Sequence, residues 1–155
     1  YPYNNKVIVM NILFVCNGNT CRSPMAEGMT RALAKQKGLD VTTLSAGLFA
    51  AYGAKVSPEA VIAVKELVDI AGDESRPWKV EFIEASVLII GMTEDHKRVL
   101  LRQFPEAADK IKTLAEWGGQ SGDVADPYGG SQEVYNQCAE QMYNLINAGL
   151  DSLEV

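Results

Sequence analysis

The stretch Val15-Cys16-Asn17-Gly18-Asn19-Thr20-Cys21-Arg22-Ser23-Pro24, VCNGNTCRSP, ends an apolar run on a cysteine and sets an arginine just ahead of a helix start. Upstream, residues 11–16 (NILFVC) read as a buried strand. Downstream, SPMAEGMTRALAKQKG reads as a helix with Ser23 as its N-cap, Pro24 at the first helical position and Gly38 just past its end. A strand that runs through a short loop into a helix opens a β-α unit. Three chemistries fit such a loop: a redox pair of thiols, a metal clip, or an anion-binding loop built round a thiolate.

The rest of the chain repeats the alternation. Residues 41–46 (VTTLSA) form a second strand. A helix follows over 57–72, with Ser57 as cap, Pro58 at its start, Gly72 as its stop and Val61, Val64, Leu67 and Val68 on one face. VLIIGM, over 87–92, lacks alternation and so reads as a strand covered on both sides. Thr93 then caps a helix, EDHKRVLLRQF, closed by Pro105, and KIKTL (110–114) is a short fourth strand. A last helix over 131–149 puts Val134, Cys138, Met142, Leu145 and Ile146 at three- and four-residue spacing. The pattern predicts an α/β fold: a three-layer α/β/α arrangement round a four-stranded parallel sheet, with the loop of residues 16–22 after the first strand. In such sheets ligands sit beyond the carboxyl ends of the strands, where residues 16–22 lie. The sequence shows no internal repeat or low-complexity tract.

Composition narrows the function classes. The 155 residues are 47% hydrophobic and 22% charged, a globular balance. No segment reaches the roughly 18 to 20 consecutive apolar residues that span a bilayer, so no membrane partner is expected. YPYNNKV lacks the apolar core of a signal peptide, and an odd count of three cysteines is a poor disulfide framework, which together point to a reducing cytoplasm. A net charge of −6 argues against nucleic acid as a partner, because that role needs a basic face.

The loop itself favours an anion. Gly18, between Asn17 and Asn19, lets successive backbone N–H groups turn inward as a nest. The helix that follows aims its free N–H groups and positive dipole end at the same point. Arg22 adds a permanently charged planar fork that matches two phosphate oxygens. A thiol in that field is favoured as thiolate, which makes Cys16 a nucleophile toward the phosphorus of a bound phosphoryl group. A metal clip fits poorly, since Cys16 and Cys21 have no second pair nearby and the only histidine, His96, reads as a helix-surface residue in another element. No metal and no cofactor are expected.

LFVCNGNTCRSPMAE closely resembles the active-site signature of the low-molecular-weight protein phosphatases, and DVADPYGG, about a hundred residues on, resembles their general-acid loop. The similarity runs from about Met10 to near the C-terminus and includes SAG (45–47) and MTEDHK (92–97). It implies a single phosphatase domain over 10–155, preceded by an extra N-terminal segment, 1–9. By this resemblance Cys16 is the nucleophile, Arg22 the phosphate clamp and Asp126 the general acid. Asn19 holds the strained loop backbone, and Ser23 bonds the thiolate. The phosphate-binding loop is then Asn17, Gly18, Asn19, Thr20, Cys21, Arg22 and Ser23. Asp126 also stands on its own residues, because WGGQSGDVADPYGG is a long glycine-rich loop, and Pro127 stiffens the chain beside the acid. The same carboxylate can serve both steps by reversibility.

Family members that act on phosphotyrosine usually carry a bulky aliphatic residue where this chain has Thr20, and often an aromatic after the Asp-Pro-Tyr triplet. Thr20 and Gly129-Gly130 depart from that pattern and match the protein-arginine phosphatase branch. The resemblance therefore implies phosphorylated proteins as substrates, with phosphoarginine the first expectation and phosphotyrosine the alternative. Inorganic phosphate would be product and inhibitor. Thr20, Phe49 and Tyr128 would shape the pocket, and Cys21 would be a redox partner that traps oxidised Cys16 as a disulfide. Cys138, on an apolar stripe, reads as inert core. A thiol redox protein on the same fold would need further exposed cysteines, and a phosphate-binding module without catalysis would have no use for Asp126. The sequence leaves oligomeric state open.

Overall fold

A computed structural model describes residues 10–153, so the expectation for residues 1–9 lies outside the described residues. The sheet contains β1 (Met10–Cys16), β2 (Val41–Gly47), β3 (Leu88–Gly91) and β4 (Ile111–Thr113), ordered β2-β1-β3-β4, every pair parallel. β1 occupies an interior position, and its side chains alternate between two cores as a period of two requires. Ile12, Phe14 and Cys16 face α1 (Arg22–Gln36), α2 (Pro58–Val64) and α6 (Gln132–Asp151). Leu13 and Val15 face α3 (Val80–Ala85) and α4 (Glu94–Gln103). The three-layer arrangement expected from the sequence is present. The order β2-β1-β3 reverses direction at β1, so its carboxyl end is the topological switch point of the sheet.

Local differences from expectation have physical causes. α1 starts two residues early, at Arg22, with Cys21 rather than Ser23 at the N-cap. Ser23 makes no cap because its hydroxyl is committed to the loop. α2 stops at Val64 instead of continuing to 72. Val68 and Ile70 turn inward against Gly28 of α1, where any Cβ would come within 2.7 Å of the Ile70 side chain, while Asp69 Oδ1 accepts the Ala71 N–H at 2.9 Å and holds the chain in a turn. The short helices α3 and α5 (Leu114–Trp117) were not legible as periodic patterns; α5 is held by a reciprocal capping box between Thr113 and Glu116. The last helix passes Gly149 and ends at Asp151, since Gly149 serves packing: a Cβ there would lie 2.3 Å from the Trp117 ring. On its inner face Tyr135 is buried, while Val134 is exposed.

Candidate active site

Cys16 is the last residue of β1 and the loop from Asn17 to Cys21 curls over the sheet edge before α1 begins. The two strands that flank β1 end in glycines that make room for it. A Cβ on Gly47 would lie 2.6 Å from Asn17 O and 3.1 Å from Asn19 N, and one on Gly91 would lie 2.9 Å from His96 Cβ. Asn19 has φ 57°, the left-handed value that asparagine tolerates better than other side chains, and among the described residues it is the only non-glycine with positive φ. That turn brings the Asn19 N–H to 3.3 Å from Cys16 Sγ.

A chain of hydrogen bonds runs beneath the loop. Asn19 Nδ2 donates to Ser23 Oγ at 2.8 Å and to Ser45 Oγ at 3.0 Å, while Asn19 Oδ1 accepts the Arg76 N–H at 2.9 Å. Ser45 donates onward to Glu27 Oε1 at 2.6 Å, and Ser23 Oγ lies 2.9 Å from Cys16 Sγ, to which it donates when the sulfur is a thiolate with no proton of its own. Sulfur thus receives an N–H and an O–H, the pattern that suits a thiolate. Glu27 lies at the far end, and burial raises its carboxyl above the usual range against the opposing Ser45 bond and Arg76 charge.

Arg22 is 3% exposed; its Nη1 donates to Val124 O at 2.9 Å and its Nη2 lies 3.7 Å from Asp126 Oδ2. Asp126 Oδ1 accepts the Tyr128 N–H at 3.0 Å, which folds the acid back toward the loop. The resulting cavity, about 220 Å³, is lined by Cys16, Asn17, Gly18, Thr20, Cys21, Arg22, Asp126 and Tyr128. Cys16, Arg22, Asp126, Thr20 and Tyr128 are therefore brought together as expected from the sequence. Phe49 is 80% exposed and is tied to the loop through its backbone, its N–H donating to Asn17 O at 3.0 Å. It is not among the lining residues. Cys21 Sγ sits 3.4 Å from both Ser57 Oγ and Tyr135 Oη. Burial pushes the Tyr135 phenol up to about 12, so it keeps its proton and can donate it to sulfur.

Cys138 is buried, and burial pushes its thiol up to about 11, in keeping with inert core. His96 corrects the surface expectation. It is 3% exposed, and its Nε2 lies 2.9 Å from Asn17 Oδ1. Burial, aided by the Arg22 charge, holds the imidazole down at about 4. Ser45, Arg76 and His96 were missed as site residues because no periodicity or spacing links them to the loop; the parallel register of β1 with β2 and β3 brings Ser45 and His96 there, and the bond from the Arg76 N–H to Asn19 Oδ1 holds Arg76. Glu27, four residues after Ser23 on α1, was missed although it stands within the signature stretch itself.

A family model described as low molecular weight phosphotyrosine protein phosphatase matches residues 11–154. The chain belongs to that family. It is 42% identical over 138 residues to a protein-arginine-phosphatase of Bacillus subtilis, covering 88% of this chain and 92% of that protein. It is 39% identical over 137 residues to the low molecular weight protein-tyrosine-phosphatase PtpB of Staphylococcus haemolyticus, covering 88% of this chain and 95% of that one. Among solved structures it matches a mutant of YwlE from Bacillus subtilis with a TM-score of 0.90 and 38% identity, over 94% of this chain and 99% of that one. The two curated relatives carry different substrate names, so within this phosphatase family the leaving group is the question that the site must answer. Among the described residues no helix is long and apolar enough to cross a membrane.

Proposed function

We propose that this chain is a metal-independent protein-arginine phosphatase. The observation that carries the reading is one cavity in which a thiol, an arginine, an exposed carboxylate and the Thr20 side chain meet. Cys16 Sγ attacks phosphorus; an S–P bond forms as the P–N bond to the guanidine breaks, and Asp126 gives its proton to the departing nitrogen. In the second step the Asp126 carboxylate takes a proton from water, whose oxygen attacks the phosphocysteine and releases inorganic phosphate and the Cys16 thiolate. The loop N–H groups and Arg22 hold the equatorial oxygens in both steps. Thr20 favours phosphoarginine because a hydroxyl can meet a guanidinium or its ordered water, where an aliphatic side chain at that place meets only a ring. Once it has given its proton, the Asp126 carboxylate attracts the cationic guanidinium group as it departs. Tyr128 lines the mouth as an aromatic wall, and the exposed Phe49 would have to swing in from outside to join it. The two relatives named for arginine and tyrosine support, respectively, the main reading and its alternative, phosphotyrosine.

Cys21 protects the nucleophile. Oxidised Cys16 condenses with the Cys21 thiol, and a reversible disulfide replaces further oxidation of sulfur. Three free cysteines suit a reducing cytoplasm as the working compartment.

The test is phosphate release from a phosphoarginine peptide and a phosphotyrosine peptide side by side in chelator, with Cys16→Ser as the blank. Preference for phosphoarginine is expected, and Thr20→Ile should shift the ratio toward phosphotyrosine. Preference for phosphotyrosine in the unaltered protein would keep the mechanism and discard the substrate. Turnover of neither would overturn the reading.

A further inference from the structure

His96 is buried against the phosphate loop and has no part in the steps above. It sits in the first turn of α4, where its N–H donates to Thr93 Oγ1 at 3.1 Å, and its ring reaches across the end of the sheet to Asn17. Gly91 permits the approach, since any side chain there would strike His96.

The proton on the ring can be placed. Nδ1 is buried with no partner, and Nε2 is 2.9 Å from Asn17 Oδ1. A hydrogen on Nε2 donates to that oxygen and leaves only a lone pair on Nδ1 unmatched. A hydrogen on Nδ1 would instead be an orphaned buried donor, which is the costlier state. The ring is therefore a neutral Nε2–H donor, and Asn17 Oδ1 is taken.

Asn17 is thus held at two points, through Oδ1 by His96 and through its backbone oxygen by the Phe49 N–H at 3.0 Å. Asn17 is exposed and lines the cavity, and among the described residues no hydrogen bond uses its Nδ2. With the amide turned so that Oδ1 faces His96, the group left free for an incoming molecule is Nδ2 with its hydrogens. The phosphoryl group is met deeper in, by the loop N–H groups and Arg22. Asn17 is exposed beside Cys16, so its Nδ2 faces the part of a phosphorylated protein that stays outside the pocket, and a peptide backbone offers carbonyl oxygens as acceptors there.

We propose that His96 is a positioning residue that fixes the Asn17 amide with its N–H groups at the pocket mouth, where they donate to a backbone carbonyl oxygen of the phosphorylated substrate. Fixing the amide beforehand removes an ordering cost from substrate binding. The inference rests on the phosphatase reading, and its test is a ratio that is defined whichever phosphorylated residue is preferred.

The measurement is kcat/KM for the preferred phosphopeptide divided by kcat/KM for para-nitrophenyl phosphate, which has no peptide carbonyl. His96→Leu should lower this ratio roughly fivefold, the worth of about one hydrogen bond, with the loss in KM of the peptide rather than kcat. His96→Gln, which restores an N–H donor, should recover most of it. Asn17→Ala should lower the ratio equally, and the double variant should add nothing further, as two residues acting in series require. Poor folding of a variant lowers both activities and leaves the ratio in place. A constant ratio in His96→Leu, or additive losses in the double variant, overturns the proposal. Where His96→Leu yields no folded protein, a constant ratio in Asn17→Ala does the same. Failure of the phosphatase reading itself would show separately, as no Cys16-dependent turnover of either substrate.

Discussion

The side-chain amide of Asn19 donates to Ser23 Oγ at 2.8 Å, which leaves the Ser23 hydroxyl its own hydrogen to give to a Cys16 thiolate 2.9 Å away. Ser23 is fully buried, so no water competes for the bond. A hydrogen bond to a charged group is worth roughly 1.5–3 kcal/mol, so Ser23→Ala should lower kcat by about ten- to a hundredfold with a smaller change in KM. Steady-state kinetics and the rate of Cys16 alkylation by iodoacetate, followed against pH, would check it. An alkylation profile that does not move in Ser23→Ala would refute the link between hydroxyl and sulfur.

Glu27 terminates the other branch of the same amide, and the two halves of its side chain's role can be separated. Glu27→Gln keeps an oxygen for the Ser45 hydroxyl, whereas Glu27→Ala leaves that buried donor with nothing, at a cost of about 1–3 kcal/mol. The folded carboxyl titrates above its unfolded value, so its contribution is fully present below the unfolded value near 4.5 and is lost as pH rises through the raised one. Glu27→Gln should therefore be at least as stable as the unaltered protein at pH 7 and fall behind it in acid. Urea unfolding at several pH values would test this, and a Gln variant as damaged as the Ala variant would contradict it.

His96 works in the opposite sense. Its folded value of about 4 lies below the unfolded 6.5, so the unfolded chain binds the extra proton between them and stability is lost as pH falls through that window. Burial beside Arg22 makes the loss substantial, roughly 3 kcal/mol across the window. His96→Gln should flatten the urea midpoint between pH 6.5 and 4 relative to the unaltered protein. A midpoint that falls as steeply in His96→Gln would place the acid sensitivity elsewhere.

The loop and the layered sheet were legible because both rest on local patterns: an apolar run that stops at Cys16, Ser-Pro and Gly at helix ends, and alternation of strand and helix. What escaped depends on register. Nothing in the sequence around His96 says that β3 ends level with Val15, yet the pairing of Val15 with Gly91 is what places α4 under Asn17. Ser45 comes beneath the loop in the same way, through its pairing with Phe14. The helix expected over 57–72 failed for the same kind of reason: Val68 and Ile70 carry apolar side chains that suit a helical face, and tertiary contact with Gly28 drew them off it.

Cys16 and Cys21 line one cavity, which puts the proposed protective disulfide within reach of a direct test. Peroxide converts the Cys16 thiolate to a sulfenic acid with release of hydroxide; the Cys21 thiol then forms the S–S bond, and water leaves. Cys138 lies outside that cavity, and burial holds its thiol up at about 11. The unaltered protein, inactivated by a brief peroxide pulse, should recover most of its activity in dithiothreitol. Cys21→Ser should be inactivated at a similar rate and recover far less, because its sulfenic acid proceeds to sulfinic acid that thiols do not reduce. The check is recovered activity against time of exposure, together with intact mass: a loss of two mass units in the unaltered protein and a gain of two oxygens in the variant. Equal recovery in both, or absence of the two-unit loss, would remove Cys21 from the protective role and leave it a packing residue against Tyr135.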